Sequence, residues 1–381
     1  MVVEDMVDLK PFEGAANRTA VGVFAKGYSI RYPVSYQYWV KKKGGRGSSI
    51  AFDTPYDEVT KELITFRAWH AEPVDAKDTT SAWITARPKT LKALRKIHGN
   101  SEYTARKGVY CSANGVFWLE VQGQRPDGSI IVSNLSEEGK IRIERVQSAM
   151  EPNLVFPLLR GKDVTRWKAF PEISILLTHE EGMRLKAIPE ERMQADYPRT
   201  WRFLLKFKNT LVKTGLFRRF YKPSDPFYSM FDIGDYAFLP WKLVIREISS
   251  TLTAAVVGVF EKKPVVPDHK LVIVASRSKE EVHYLCALLN SVPARLFVDS
   301  YCIETQYSAH IFNMLRIPPF QKTIGLHRKL AELSEAAHKA TANGDTDEVG
   351  RIEKEVDRWA AKLWDLSEEE LAEIKRSLEE A

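Results

Sequence analysis

Cysteine is scarce in this sequence: three in 381 residues, at positions 111, 286 and 302. They lie far apart with no C-x-x-C spacing, which excludes a disulfide scaffold and leaves reduced thiols as the expectation. Long apolar runs are missing too. The longest, such as LTAAVVGVF at 252–260, fall well short of the ~20 residues a spanning helix needs. The opening MVVEDMVDLK is acidic and lacks the apolar segment of a signal peptide. His179, His269, His327 and His338 stand at no metal-ligand spacing with the cysteines, so no bound metal is expected. No repeat of domain-building period is present. These absences point to a soluble cytoplasmic protein with no membrane contact. Apolar residues make up 44% and charged residues 28% of the chain, and its length suffices for two or three domains with cores of their own.

The net charge of +6 does not by itself indicate nucleic acid, but it is unevenly spread. Between Phe156 and Lys222 stand 15 Lys/Arg against 7 Asp/Glu; between Gln321 and Ala381 the figures are 10 and 15. A basic middle and an acidic tail imply a localised electrostatic footprint. Its densest part is YPRTWRFLLKFKNTLVKTGLFRRFYK, Tyr197 to Lys222, with eight basic residues, seven aromatics and no acid. On a helix, Arg199, Arg202, Lys206 and Lys213 share one face, while Trp201, Leu204, Leu205, Leu211 and Val212 fall on the other. A loop from Gly215 to Lys222 then carries Arg218, Arg219 and Lys222. Such a stripe either neutralises phosphates or is a plain solvated face.

TAVGVFAKG (19–27) predicts a buried strand, and VVEDMVDLKPFEGAANRTAVGVFAKG (2–27) reads as the last strand pair of a sheet whose remainder is not evident. KKKGGRGSS (41–49) predicts a flexible basic loop, the stretch around His70–Thr80 a linker, and KTLKALRKIHG a helix near Pro88–His98 stopped by Gly99. Short strands are expected at 115–121, 129–135, 141–146, 243–248, 254–260 and 271–276. LLRGKDVTRW (158–167) reads as a tight polar connection between strands. Helices are expected at 278–291, 327–344, 347–364 and after Ser367. Ser278 with Glu281, and Ser367 with Glu370, have the spacing of capping boxes.

Several strings together carry a resemblance. DLKPFEGAANRTAVGVFAKG (8–27) resembles the segment after the catalytic motif in adenine-N6 DNA methyltransferases of the type IIG-like and phage-defence group. YTARKGVYCSANGVFWLEV (103–121) resembles the entry to their target-recognition region. PLLRGKDVTRW (157–167), PWKLVIREIS (240–249), YLCALLNSVPARLFV (284–298) and MLRIPPF (314–320) resemble the core of the TaqI-like specificity domain. IEKEVDRWAAKLWDLSEEE (352–370) resembles their helical tail. The resemblance implies an α+β fold. Residues 1–100 would hold remnant edge strands of a methyltransferase sheet plus a linker, 101–320 a mixed α/β DNA-specificity domain, and 321–381 a C-terminal helical region. It also implies a role in choosing double-stranded DNA sites for adenine methylation in a restriction-modification or phage-defence system.

The departures matter as much. In the family, an (N/D/S)-P-P-(Y/F/W) motif accepts hydrogen bonds from the adenine amine and stacks on the flipped base. It belongs upstream of KPFEGAANRTA, where these 381 residues leave no room for it. Ile317-Pro318-Pro319-Phe320 has an apolar residue where the acceptor must stand, and Asp225-Pro226-Phe227-Tyr228 has one proline. Phe12-Glu13-Gly14-Ala15 only faintly echoes a glycine-rich donor loop, and a turn is the better reading. Glu261, Lys263 and Asp268 have the wrong order for a nuclease. No catalytic residue and no bound cofactor are therefore expected here. S-adenosylmethionine would belong to the complete enzyme, with a separate catalytic methyltransferase domain or subunit as partner.

In such a specificity domain, phosphate contacts position and base contacts specify. The candidates for DNA contact are Arg160, Lys162, Arg166, Arg199, Arg202, Lys206, Arg218, Arg219, Arg246 and Gln306. For Arg160 a local ion pair with Asp163 is an equal alternative, and Trp167 reads as core. Gln306 suits adenine in the major groove, whereas Tyr307 and His310 read better as packing and loop residues. Asn17 and Arg18 read as supports of the sheet edge. A different reading makes the chain an interaction subunit of a restriction or defence complex, docking through its acidic helices at 327–381.

Overall fold

Apolar residues fill both faces of Trp241–Arg246, and this strand lies at the centre of the molecule. The structure, a computed structural model, describes residues 1–380 apart from 7–8, 10–11, 13–18, 43–49, 51–52, 184–185 and 302–306. It is an α+β fold with several sheets and a C-terminal layer of helices.

The central sheet has the order Ala254–Val257, Trp241–Arg246, Leu271–Ser276 and Arg106–Lys107, all antiparallel. Side chains alternate across a strand, so Leu243 and Ile245 face one side and Val244 the other. Leu243, Ile245, Val256, Val272 and Val274 enter the largest apolar cluster, beneath the Lys279–Asn290 helix. Val244, Ala255, Leu271 and Ile273 meet Leu159, Val164 and Val265 on the opposite face. Burial on both faces explains why these runs are almost wholly apolar.

The second sheet has six strands in the order Val266–Pro267, Val155–Leu159, Ile173–Leu176, Trp118–Gln124, Ile130–Asn134 and Gln147–Met150. Two expectations are corrected here. The strand expected from 115 begins at Trp118, after a helical turn over Asn114–Phe117. Residues 141–146 form no strand. Ile143 and Val146 are the buried members of IRIERV, and their spacing of three does not fit the period of two that a strand face requires.

The N-terminal sheet runs Ala20–Val23, Val2–Asp5, Val34–Lys41, Ile64–Pro73 and Trp83–Ala86. Val2–Asp5 pairs antiparallel with Ala20–Val23 and parallel with Val34–Lys41. The expected strand pair is present, but Ala20–Val23 is exposed throughout rather than buried, because it is the outer edge. The expected linker from His70 is corrected as well. His70 lies within the Ile64–Pro73 strand, and a turn follows in which Asp75 and Asp78 accept from backbone N–H groups two residues on. Most of the expected basic loop at 41–49 lies outside the described residues.

The helices fall where their caps place them. Ser278 accepts from the Glu281 N–H at 3.2 Å, while the Glu281 carboxylate serves Ser276 instead of closing the box. Ser367 and Glu370 close theirs reciprocally, at 3.1 and 2.8 Å. The helices Pro88–Ile97, Lys279–Asn290, Gly325–Ala342, Thr346–Leu363 and Glu368–Glu380 share the largest cluster. Thr90 meets Ser377 at 2.8 Å, and Lys96 pairs with Glu370 at 2.7 Å. One core therefore draws on all three sequence segments.

Candidate nucleic-acid interface

The basic run folds as consecutive short helices, Pro198–Lys206, Lys208–Leu211 and Gly215–Phe220. The expected loop from Gly215 is thus helical up to Phe220, with Thr214 as its N-cap. Thr200, Phe203, Leu204, Phe207 and Leu211 are buried, a stripe at helical spacing that packs on the six-stranded sheet. Leu205, expected in that stripe, stands one position off it and is exposed. The first turn is held by Glu151, whose carboxylate accepts from the Arg199 and Thr200 N–H groups and the Thr200 hydroxyl at 2.7–3.0 Å.

The cations of this run face outward. Arg202, Lys206, Lys213, Arg218 and Arg219 are exposed, and none has a carboxylate partner among the described residues. Arg199 pairs with Asp127 at 2.9 Å. Arg125, Arg199, Arg202 and Lys206 line a groove of about 420 Å³ beside Ser148 and Ala149, on the edge strand of the six-stranded sheet. Farther along, Arg219 and Phe220 line a cleft of about 850 Å³ with Tyr110, Lys140, His269 and Lys270. His269 packs against Tyr110 with ring centroids 4.6 Å apart and the rings tilted by 39°. Burial pushes its pKa down to about 4, so it is neutral at physiological pH. Burial also pushes the neighbouring Asp268 up to about 7.

The remaining candidates are scattered. Arg160 is buried, bonded twice to Asp163 at 2.8 Å and to Glu172 at 2.7 Å. Lys162, on the same turn, is exposed and 3.9 Å from Glu138. Arg166 is half-buried, paired with Glu353 and donating to the Asn290 carbonyl at 2.6 Å. Arg246 is half-buried at the end of the central strand, and its Nε has no partner among the described residues. Glu247 is buried against Lys107 at 2.6 Å. Tyr307 is buried and donates to Asp299 at 3.0 Å, whereas His310 is exposed. Gln306, Asn17 and Arg18 lie outside the described residues. The structure thus brings Arg199, Arg202 and Lys206 together at one groove and Arg219 to the next cleft. Arg125, Lys140 and Lys270 join them. They went unnoticed in the sequence because a lone cation beside a turn carries no pattern.

Neither diproline-like string builds a base pocket. Ile317 is buried, and the Pro318 carbonyl accepts from the Tyr284 hydroxyl at 3.0 Å. The Phe320 N–H is taken by the Tyr103 hydroxyl at 2.8 Å. Asp225 accepts from the Lys222 N–H, and Tyr228 is buried with its hydroxyl on the Ile188 carbonyl. Among the described residues no cluster of three or more His, Cys, Asp or Glu side chains could hold a metal ion, and no helix is long and apolar enough to cross a membrane.

Comparison with known proteins supplies the context for this surface. The chain is 27% identical over 180 residues to the type II methyltransferase M.NspV of a Nostoc strain, a match covering 46% of this chain and 36% of that protein. The chain is related to type II restriction-modification methyltransferases. No family model matches it. Among solved structures, the type IIL restriction-modification enzyme MmeI in complex with DNA aligns over 99% of this chain and 45% of its own, with TM-score 0.48 and 13% identity. The type IIG restriction endonuclease BpuSI aligns over 94% and 43%, with TM-score 0.33 and 12% identity. The chain spans less than half the length of either structure, and its match to the Nostoc enzyme covers about a third of that protein.

Proposed function

We propose that this chain recognises double-stranded DNA for a site-specific, S-adenosylmethionine-dependent adenine-N6 methyltransferase of a cytoplasmic restriction-modification or phage-defence system. The observation that carries the reading is the outward row of Arg202, Lys206, Lys213, Arg218 and Arg219, none with a carboxylate partner among the described residues, continued by the groove of Arg125 and Arg199; Lys208 within the row reaches Glu190 at 4.0 Å. A folded surface that leaves so many cations without carboxylates carries a local positive potential, and phosphate is the anion it matches. The similarity to a type II methyltransferase supports methyl transfer as the reaction served. Among the described residues no acceptor pair for an adenine amine and no glycine-rich loop for the methyl donor is assembled; Glu13, Gly14 and Ala15 of the faint donor-loop echo lie outside them. Methyl transfer would then fall to a separate catalytic domain or subunit.

Binding of duplex DNA across a salt series tests this. Each phosphate contact contributes about −0.9 to the slope of log K against log salt. The Arg202→Glu/Lys206→Glu variant should bind more weakly with a slope shallower by about two of these contacts. A wild-type chain that binds no duplex at low salt removes the proposal. The interaction-subunit reading has less support. The C-terminal helices bury Leu330, Ala337, Ile352, Val356, Trp364 and Ile374 in the chain's own core, so their apolar faces are already occupied.

A further inference from the structure

The return between the antiparallel strands Ile130–Asn134 and Gln147–Met150 is the long segment 135–146, and it is firmly fastened at its root. Buried Asn134 donates from Nδ2 to the carbonyls of Gly115 at 2.6 Å and Glu144 at 3.0 Å, and its Oδ1 accepts from the Val146 N–H at 2.6 Å. Ile143 and Val146 are anchored in the core of the six-stranded sheet. The segment lies so close on Gly115 that a Cβ there would stand 3.1 Å from the carbonyl oxygens of Ser136 and Glu138.

Beyond these fastenings the chain swings out through Gly139, at φ +100°, where glycine alone is unstrained. Lys140, Ile141 and Arg142 follow, all exposed. Neither Lys140 nor Arg142 has a carboxylate partner among the described residues, and Ile141 between them is 37% exposed. The tip shares the 850 Å³ cleft with Arg219 and Phe220, so it borders the cationic row. The hairpin's other neighbour, the turn at 125–129, differs. Its Asp127 is engaged with Ser129 and Arg199 and places a carboxylate at the surface.

The geometry points to the 136–146 loop as the element that reads base edges. A projecting loop held at its root by paired strands can enter the major groove, ~12 Å wide. Arg142 and Lys140 are the donors that guanine O6 and N7 accept, and Ile141 is the apolar contact that a thymine methyl takes. The Arg199–Arg219 cations hold phosphates alongside. Asn134 positions the loop in advance, so little ordering entropy opposes binding. This inference rests on the DNA-binding reading above and adds to it a division of labour.

The test is selection of bound duplexes from a pool with a randomised centre, using the purified full chain. The wild type should enrich a motif. Lys140→Ala/Arg142→Ala should lose roughly tenfold to a hundredfold of the discrimination at one or two positions of that motif. Its affinity for unselected duplex should stay within a few-fold of wild type. Arg202→Glu/Lys206→Glu should do the reverse, keeping the motif and losing affinity. A loop variant that retains the full motif overturns the inference. So does a wild type that binds duplexes without enriching any sequence, and either result leaves DNA binding itself standing. A wild type that binds no duplex removes both proposals together.

Discussion

The indole Nε1 of Trp167 donates to the Glu353 carboxylate at 2.7 Å across 186 residues of chain. The same carboxylate takes Arg166 Nε. Trp167 itself is buried and sits at φ +62°, in the left-handed region, so its backbone is held by what surrounds it. This contact pins the turn between the short antiparallel strands Val164–Thr165 and Lys168–Ala169 to the C-terminal helices.

The first prediction separates architecture from DNA contact. Glu353→Leu leaves the Trp167 indole N–H without its acceptor and the Arg166 guanidinium with the Asn290 carbonyl alone, which should cost about 2–4 kcal/mol. The expected result is a lower unfolding midpoint with an unchanged salt slope for DNA binding. Arg166→Ala should behave the same way. A shallower slope in Arg166→Ala with stability intact would instead make Arg166 a phosphate ligand.

How far the sequence could be read follows from the same kind of interaction. Ser278, Ser367 and the runs at 243–248 and 271–276 were legible because caps and apolar strands are local signals. The basic row was legible as charge, and its buried stripe nearly so. Its break at Phe207 and the exposure of Leu205 depend on the sheet beneath. For Arg160 the local pair with Asp163 was one of two readings the spacing of three allowed, and it is present; Arg166 was not separable from a true surface cation, because its carboxylate, Glu353, lies on a distant helix. The 136–146 loop hid behind an alternating string whose anchors, Ile143 and Val146, are fixed by Asn134 from a neighbouring strand.

Acid should weaken the fold through its buried histidines. His283 is pushed down to about 3 by burial and by His338, whose ring lies 5.0 Å away, with Lys279 adding to the shift. His269 is pushed down to about 4. His338 accepts from the Val256 N–H at 2.9 Å through Nε2 and bonds the Ser334 carbonyl at 2.7 Å through Nδ1, an arrangement only the neutral ring satisfies. Between pH ~6.5 and these lowered values the unfolded chain binds more protons, so stability is present above ~6.5 and lost as pH falls toward 4 and below. Denaturant midpoints between pH 7 and pH 4 check this. In His283→Gln the loss should be smaller, and an equal loss would mean that other groups drive it.

Gly108 marks where the two sheets are stitched together. Its N–H donates to the Leu271 carbonyl at 3.0 Å, and Val109 N–H donates to Pro267 at 2.9 Å. A Cβ at Gly108 would overlap the carbonyl oxygens of Pro267 and Asp268, which belong to backbone and cannot swing away. Gly108→Ala should therefore destabilise by about 3 kcal/mol or more, or prevent folding. Gly128→Ala meets no atom within 4 Å, and its cost should come only from its φ of +82°. Soluble yield and thermal midpoints of the two variants give the comparison, and equal midpoints would sink the argument.

Lys242 is the least accommodated charge in the central sheet. It is fully buried, its Nζ donates to the Leu239 carbonyl at 2.6 Å, and burial pushes its pKa down to about 7. A lysine lowered in the folded state is more readily protonated when unfolded. Stability should therefore rise as pH climbs from about 7 toward the unfolded lysine value of about 10.4. Below that window the full penalty applies, on the order of a few kcal/mol. Met has the length to follow the lysine stem and no charge to desolvate. Lys242→Met forfeits one hydrogen bond worth about 1 kcal/mol, so the exchange should raise stability at pH 7. It should also flatten the alkaline rise. Denaturant unfolding of both proteins at pH 7 and pH 9.5 measures the difference. A variant less stable than wild type at pH 7 would show that the Leu239 contact outweighs the desolvation of the ammonium group.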